Sequence, residues 1–300
     1  MRPRGWFPAT PNGARLRRES TLAGGGVSYI DDLFGLTGKT VFLTGGASGV
    51  GRMAAEGFVR AGARLLIASR KADACARTAD ELNGLGAPGS AEGFGGDAST
   101  EAGVAALADE VRGRTDRLHV LVNNAGKSWG ADYGTFPFSA WETVMALNVA
   151  GLFSLTQALT PLLAASASDD DPARVINLGS VMGEIPLGDG AYSYAASKAA
   201  VHHLTRILAK ELAGRRITVN ALAPGPFPSR MTAFATADAG NAARVAADIP
   251  FGRLGAPSDI AGAMLFLAGK GGAYVTGAIL PVSGGINVAT GHDLFAGARH

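Results

Sequence analysis

Tyr194 and Lys198 stand four positions apart in the run Tyr192-Ser193-Tyr194-Ala195-Ala196-Ser197-Lys198, which has the composition of a helix. At that spacing the two side chains share one helix face, about 6 Å apart along the axis. A phenol beside an ammonium makes a proton donor that can also serve as a base. A free tyrosine titrates near ~10, and a fixed positive charge next to it favours the phenolate and lowers that value. Such a pair arises often by chance, so its meaning depends on what lies upstream. Tyr192 has no lysine at the same offset, because residue 196 is Ala.

Upstream lies a glycine-rich turn, Thr44-Gly45-Gly46-Ala47-Ser48-Gly49-Val50-Gly51. It follows the apolar run Val41-Phe42-Leu43 and opens a helical stretch from Met53 to Ala61. A strand feeding such a turn and then a helix aims backbone N–H groups at a phosphate, with glycines permitting the tight turn and the close approach of a pyrophosphate. The spacing Gly45, Gly49, Gly51 differs from the common G-x-G-x-x-G, and alone it would fit any strand-to-helix turn. A third segment, Asn123-Asn124-Ala125-Gly126, follows another apolar run. The three together point to a dinucleotide site with an acid–base pair beside it.

The elements that must position these residues alternate. Strands are expected at Thr40–Thr44, Arg64–Ala68, Ala91–Gly95, Leu118–Asn123, Arg174–Leu178, Ile217–Ala221 and Ala278–Val282. Helices are expected between them, at Thr100–Arg112, Ser139–Leu163, Ala191–Ala213 and Pro257–Leu267 among others. The strands read as continuous apolar runs, as in a parallel sheet covered on both faces. Strand–helix alternation with right-handed crossovers gives an α/β Rossmann-type doubly wound sheet of about seven strands. Its ligands sit beyond the carboxyl ends of the strands, where every motif above falls.

Three hundred residues with 47% hydrophobic and 17% charged content suit one large domain, here residues 35–300. Twenty-seven basic residues against 25 acidic ones leave nothing to recruit a nucleic acid. No apolar run approaches the ~20 residues that span a bilayer. The single cysteine, Cys75, cannot form an internal disulfide, which suits the cytoplasm. Residues 1–34 differ, with Arg2, Arg4, Arg15, Arg17 and Arg18 preceding the first acid, Glu19. Pro3, Pro8 and Pro11 would break the amphipathic helix of a transit peptide, so a flexible basic extension ending near Gly24-Gly25-Gly26 is expected. The run Ser166–Pro172, with three consecutive aspartates, reads as a solvated loop.

The cofactor's identity rests on the end of the second strand. An Asp or Glu about 20 residues past the glycine turn would bind a ribose 2′-hydroxyl and favour NAD. This chain has Ala68-Ser69-Arg70-Lys71 there, with no acid. A guanidinium grips a 2′-phosphate through two parallel hydrogen bonds, so Arg70, with Ser69 and Lys71, indicates NADP(H).

At these motifs the chain resembles the short-chain dehydrogenase/reductase superfamily, over residues 35 to 290. The T-G-x-x-x-G-x-G turn, N-N-A-G, Ser180 and Y-x-x-x-K occur in the family's order. Val175–Ser180 and Ala223–Thr232 resemble the branch containing the rhamnolipid-type β-ketoacyl reductase. The resemblance implies a catalytic set of Ser180, Tyr194, Lys198 and Asn148. Tyr194 would donate the proton, Ser180 would polarise the carbonyl, Lys198 would lower the Tyr194 pKa and hold the nicotinamide ribose, and Asn148 would fix a water leading from Lys198 to solvent. As an isolated helical residue, Asn148 would instead mark a local kink or a buried bond to backbone. The resemblance also implies cofactor contacts from Gly45, Ser48, Gly49, Val50 and Gly51, from Asp97 and Ala98, and from Asn124, Ala125 and Gly126. Pro224, Gly225, Phe227 and Ser229 would lie near the carboxamide, with Ser229 replacing the family's usual Thr. Trp129, Met182, Ile185, Tyr192 and Phe227 are candidates for an apolar substrate wall.

Two departures stand out. Gly179 occupies a position where the family often has another Ser, and Ser180 lies fourteen residues before Tyr194, one more than usual. Two other signals fail. Gly38-Lys39-Thr40 precedes its strand, whereas a P-loop follows one. His202 and His203 project about 100° apart on a helix and cannot grip one metal ion; a surface or subunit-contact role is expected instead.

The function expected is NADPH-dependent reduction of a 3-oxoacyl or similar ketone. Its rivals are a secondary-alcohol or polyol dehydrogenase working oxidatively and an inactive cofactor-binding regulator, the latter disfavoured by the intact Ser, Tyr and Lys. By resemblance, the helices at Ser139–Leu163 and Ala191–Ala213 would pack between subunits of a homodimer or homotetramer.

Overall fold

The structure, a computed structural model, describes residues 28–187, 190–229, 231–233 and 238–288. The arginine-rich segment and its glycine linker lie outside the described residues. Strands β1 (Thr40–Thr44), β2 (Arg64–Ser69), β3 (Ser90–Gly95), β4 (Val120–Asn123), β5 (Ala173–Leu178), β6 (Ile217–Pro224) and β7 (Ile279–Val282) form one sheet. All pairings are parallel, in the order β3-β2-β1-β4-β5-β6-β7. β1 is an interior strand next to the central β4, with Val41 opposite Leu65 of β2 and Val120 of β4. The strand order reverses between β1 and β4, opening the crevice in which such sheets bind ligands.

Helices α1 (Tyr29–Phe34), α2 (Gly49–Arg60), α3 (Ala72–Asn83), α4 (Glu101–Arg112), α5 (Phe138–Met145), α6 (Leu152–Ser166), α7 (Tyr192–Leu212), α8 (Ala239–Ala247) and α9 (Pro257–Ala268) accompany the sheet. Successive side chains of a strand point to opposite faces, so each buried strand feeds two cores. Val41 and Leu43 pack with Phe58 of α2 and Met264 of α9 on one face. Phe42 packs with Leu107 of α4 and Leu155 and Leu159 of α6 on the other, joined by Leu208 and Leu212 of α7. This double burial explains the continuous apolar runs.

The expected helix over 139–163 is helical from Phe138 to Ser166, but a π-helical turn, Ala146–Gly151, separates α5 from α6. Its wider winding has local causes. Asn148 bonds sideways to the backbone of Lys127, and a Cβ on Gly151 would stand 1.8 Å from the Ala98 carbonyl oxygen. Such turns often occur at functional sites. The 29-residue stretch is by length and composition apolar enough to cross a bilayer, although polar residues interrupt it. Its inner side, including Leu152, Leu155, Leu159 and Leu163, packs inside the fold.

Two expectations about the periphery change. Residues 28–34, expected within the basic extension, include a short helix. Ser28 caps α1 by accepting a hydrogen bond from the Asp31 N–H (3.1 Å), and Asp32 pairs with Lys270 at 2.6 Å. Asp171 is not a solvated loop residue either. It receives Lys39 Nζ at 2.6 Å and the guanidinium of the fully buried Arg174, whose second nitrogen donates to the Gly269 carbonyl at 2.8 Å.

Burial works against charge on Lys39 and Arg174, and it also pushes the Asp171 carboxyl up. For Asp171 the hydrogen bond from Lys39 and the charge of Arg174 outweigh burial and hold the carboxyl below its ordinary range. A carboxyl depressed on folding stabilises above its unfolded value of ~3.9 and loses that contribution as pH falls through the folded value. Asp171→Ala strands two enclosed cations, a loss of about 3 kcal/mol by the general cost of breaking buried pairs. Thermal melts should therefore show a large drop in Tm at pH 7, with the gap between the proteins narrowing below about pH 4. A gap constant down to acid pH would disprove the pairing.

Candidate active site

The site is assembled at the carboxyl ends of β1, β4, β5 and β6. Gly45, just past β1, has φ +72°, a left-handed conformation that favours glycine. A Cβ on Gly51 would meet the Gly45 carbonyl oxygen at 2.4 Å and Asn124 Nδ2 at 2.5 Å, so the first turn of α2 closes directly onto the loop. A cradle this tight, open at the N-terminus of α2, fits a dinucleotide pyrophosphate. Ser48 is the extended N-cap residue, with no capping bond from its own side chain, and Val50 follows in the first turn.

Asn124 braces this cradle from β4, donating Nδ2 to Thr44 O (2.8 Å) and Gly45 O (3.0 Å). Thr44 Oγ1 accepts the N–H groups of Asn124 (3.1 Å) and Ala125 (3.0 Å) in return. Across the loop, a Cβ on Gly49 would lie 3.2 Å from Ser229 Cβ, so the segment after β6 reaches the glycine turn. Ser229 and Thr232 are locked together, Oγ to Oγ1 at 3.0 Å, and Thr232 Oγ1 donates to Phe227 O at 2.6 Å. Pro224 ends β6, and the Gly225 N–H donates to Val282 O at 3.0 Å. The Phe227 ring is buried, with a Cβ on Gly255 placed 2.2 Å from it, and it borders a cavity shared with Ile249, Phe251 and Ser283.

At the end of β2, Ser69 Oγ accepts the Lys71 N–H at 3.2 Å and contacts Cys75 Sγ at 3.1 Å. Arg70 and Lys71 are exposed, and among the described residues neither has an ion-pair partner. After β3, Asp97 Oδ1 accepts from Ser99 N (2.9 Å) and Ser99 Oγ (2.7 Å). The Ser99 hydroxyl is the main cause holding that carboxyl below its ordinary range, with smaller help from the charges of Arg70 and Lys127. Ala98, the next residue, lies with its carbonyl oxygen against Gly151 of the π-helical turn.

The remaining residues meet where β5 runs into α7. Ser180 Oγ accepts from the Met182 N–H (3.2 Å) and lies close enough to the Tyr194 hydroxyl to oppose the rise of its pKa. The extra residue between them falls in 181–191, of which 188 and 189 lie outside the described residues. Lys198 is buried; its Nζ lies 5.6 Å from the centre of the Tyr194 ring and donates to Leu178 O at 2.5 Å. Asn148 Nδ2 donates to Lys127 O and Ser197 Oγ (both 2.9 Å), while its Oδ1 accepts from Lys127 N (3.0 Å). The expected bond of a helical Asn to backbone is therefore present, within the π-helical turn. Gly126 lies beside this group, its missing Cβ 3.4 Å from Asn148 Oδ1 and 3.7 Å from Lys198 Nζ.

One electrostatic expectation is reversed. Burial raises the Tyr194 pKa, only partly opposed by the Ser180 hydroxyl, and burial lowers Lys198 to about 8. The ammonium is directed at a carbonyl and does not hydrogen-bond the phenol, so removal from water dominates both groups.

Sequence reasoning missed three features. His202 is buried, not at the surface; its Nε2 accepts the Ser180 N–H at 3.4 Å. Beneath the site, Asn123 Nδ2 donates to Thr156 Oγ1 and Asn177 Oδ1 (both 2.9 Å), and Asn177 Nδ2 donates to Thr205 Oγ1 (3.0 Å). An Asn at the end of each of two adjacent apolar strands is the signal that could have revealed this network. Finally, Tyr192 packs edge-on against Phe136 and Tyr133, and Phe136 against Trp141.

An all-parallel sheet with a glycine cradle at its switch point and a Ser–Tyr–Lys group across from it defines a dinucleotide-dependent oxidoreductase. The chain belongs to the short-chain dehydrogenase/reductase family. Residues 45–287 match the family described as enoyl-(acyl carrier protein) reductase. The rhamnolipid-biosynthesis 3-oxoacyl-[acyl-carrier-protein] reductase of Pseudomonas aeruginosa is 48% identical over 255 residues, 85% of this chain and 98% of that protein. The galactitol 2-dehydrogenase (L-tagatose-forming) of Cereibacter sphaeroides is 40% identical over 258 residues, 85% of this chain and 98% of its own. Among solved structures, the Pseudomonas aeruginosa RhlG/NADP active-site complex superimposes with a TM-score of 0.82 at 48% identity, covering 85% of this chain and 99% of that one.

Proposed function

We propose that this chain reduces the keto group of a 3-oxoacyl or similar small-molecule ketone with NADPH, with Ser180 and Tyr194 as the two hydroxyls on the carbonyl oxygen. The observation that carries this reading is the closeness of those hydroxyls, with buried Lys198 beside them. When bound, the dinucleotide supplies the hydride. Two donors aimed at one oxygen stabilise the charge that develops there, and Tyr194 delivers the proton. A phenol whose pKa is raised by burial stays protonated at neutral pH, the form a proton donor needs.

Gly45, Ser48, Gly49, Val50 and Gly51 hold the pyrophosphate, and Arg70, with Ser69 and Lys71, takes the 2′-phosphate. Asp97 and Ala98 border the adenine, and Asn124, Ala125 and Gly126 the adenosine side. Pro224, Gly225, the backbone of Phe227 and Ser229 approach the carboxamide. Lys198 holds the nicotinamide ribose, and Asn148 holds a water beside it. Tyr192, Tyr133, Phe136 and Trp141 form an aromatic cluster suited to an acyl chain more than to a polyol, and half-exposed Trp129 is a further candidate for its wall. Phe138, Trp141 and Phe153, exposed along α5 and α6, support a second copy of the chain as partner in a homodimer or homotetramer. The lone Cys75, buried and free, suits the cytoplasm.

The deciding experiment follows NADPH and NADH oxidation with a panel of ketones that includes 3-oxoacyl thioesters and keto sugars. Preference for a thioester with NADPH is expected; turnover of sugars alone would favour the polyol dehydrogenase. Lys198, lowered to about 8, is charged below that pH and neutral above it. The pH profile of reduction should therefore be flat through neutrality and fall as pH rises through about 8, a limb that Lys198→Met removes along with most activity. A profile unchanged to pH ~10, where free tyrosine and lysine titrate, would contradict the assignment.

A further inference from the structure

The chemistry above makes no use of His202, yet this ring is enclosed against it. Tyr194, Lys198 and His202 recur every fourth residue of α7 and so form one stripe along the helix. Each reaches the strand end that carries Ser180. The Tyr194 hydroxyl lies close to the Ser180 side chain, Lys198 Nζ donates to Leu178 O, and His202 Nε2 accepts the Ser180 N–H. The loop is also shaped around the imidazole. A Cβ on Gly179 would lie 2.2 Å from Nε2, and one on Gly183 would lie 2.9 Å from Cε1. This accounts for Gly179 where the family often has Ser: the space that side chain would need is filled by His202.

We propose that His202, as the neutral Nδ1-protonated tautomer, is a positioning residue for the reduction step, fixing Ser180 so that its hydroxyl meets Tyr194 and the substrate oxygen. The inference rests on the reductase reading of Ser180 and Tyr194. Nε2 can accept the Ser180 N–H only if it carries no proton, which leaves the proton on Nδ1. Nδ1 has no hydrogen-bond partner, its nearest charged group being Glu184 Oε1 at 3.6 Å. Burial, with the charges of Arg206 and Lys198, keeps the ring neutral by lowering its pKa to about 4. With its N–H tied to the ring and its Oγ accepting from Met182 N, Ser180 has few ways left to turn.

The test is a kinetic cycle on the full chain with NADPH. His202→Leu should lower kcat about tenfold and leave NADPH affinity within about twofold, as for loss of one hydrogen bond that sets a reacting group's position. His202→Gln, whose amide oxygen can accept the same N–H, should recover most of that loss. In a Ser180→Ala background, His202→Leu should cost less than about twofold, because the two act through one group. A full tenfold cost in that background, or a Gln variant as impaired as Leu at unchanged Tm, overturns the proposal. If His202→Leu does not fold, Gly179→Ala takes its place, since it displaces the ring without removing it and should lower kcat equally. Nitrogen-15 spectra of the wild type should show a neutral His202 protonated on Nδ1; protonation on Nε2 overturns the proposal independently of any rate. If Ser180→Ala itself turns over normally, the reductase reading fails first and the inference falls with it.

Discussion

Tyr194→Phe is expected to lower kcat by about 10³-fold, the contribution of a positioned proton donor, which corresponds to roughly 4 kcal/mol of barrier. The removed atom is the one nearest Ser180, while the half-buried ring keeps its place, so folding should change little. Affinity for NADPH, measured by fluorescence or calorimetry, should remain within about threefold, because Lys198 and the glycine cradle are untouched. The result separates catalysis from binding: a phenylalanine variant with ordinary turnover would remove Tyr194 from the chemistry altogether. Equal losses of turnover and cofactor affinity would make it a packing residue.

The second large effect concerns the choice of cofactor. Arg70→Ala should raise KM for NADPH by about 10- to 100-fold, the value of a charge-assisted pair worth roughly 1.5–3 kcal/mol, and change KM for NADH by less than about threefold. The argument uses both what is present and what is missing. Arg70 is exposed and free of ion-pair partners among the described residues, so its guanidinium need not be pulled from another carboxylate. No acid stands at the end of β2 to repel a 2′-phosphate. Lys71 remains in the variant as a point charge without the planar fork, so a residual preference for NADPH of a few fold is expected. Equal rises for both cofactors would mean that Arg70 acts through its charge on Asp97 and reads no phosphate.

The sequence alone determined the architecture and which residues are candidates for the reacting groups. Strands buried on both faces leave an unbroken apolar run, and a glycine turn between such a run and a helix has few uses, so Val41–Gly51 was legible by itself. Tyr194 and Lys198 were legible because helix geometry turns a spacing of four into proximity. The helix α8 was not foreseen, although Asp238, whose carboxylate caps Asn241 N at 2.9 Å, precedes an alanine-rich run there.

Only the tertiary structure decided how those groups behave. Whether Lys198 acidifies Tyr194 or merely shares its enclosure depends on how much water the sheet and α7 exclude, and on a carbonyl, Leu178 O, that lies twenty residues away in the chain. His202 changed roles for the same reason. A histidine on α7 could face solvent or Ser180, and nothing local distinguishes the two. The space left by Gly179 made the choice, since close packing in three dimensions, unlike helical periodicity, is a property of residues distant in the chain.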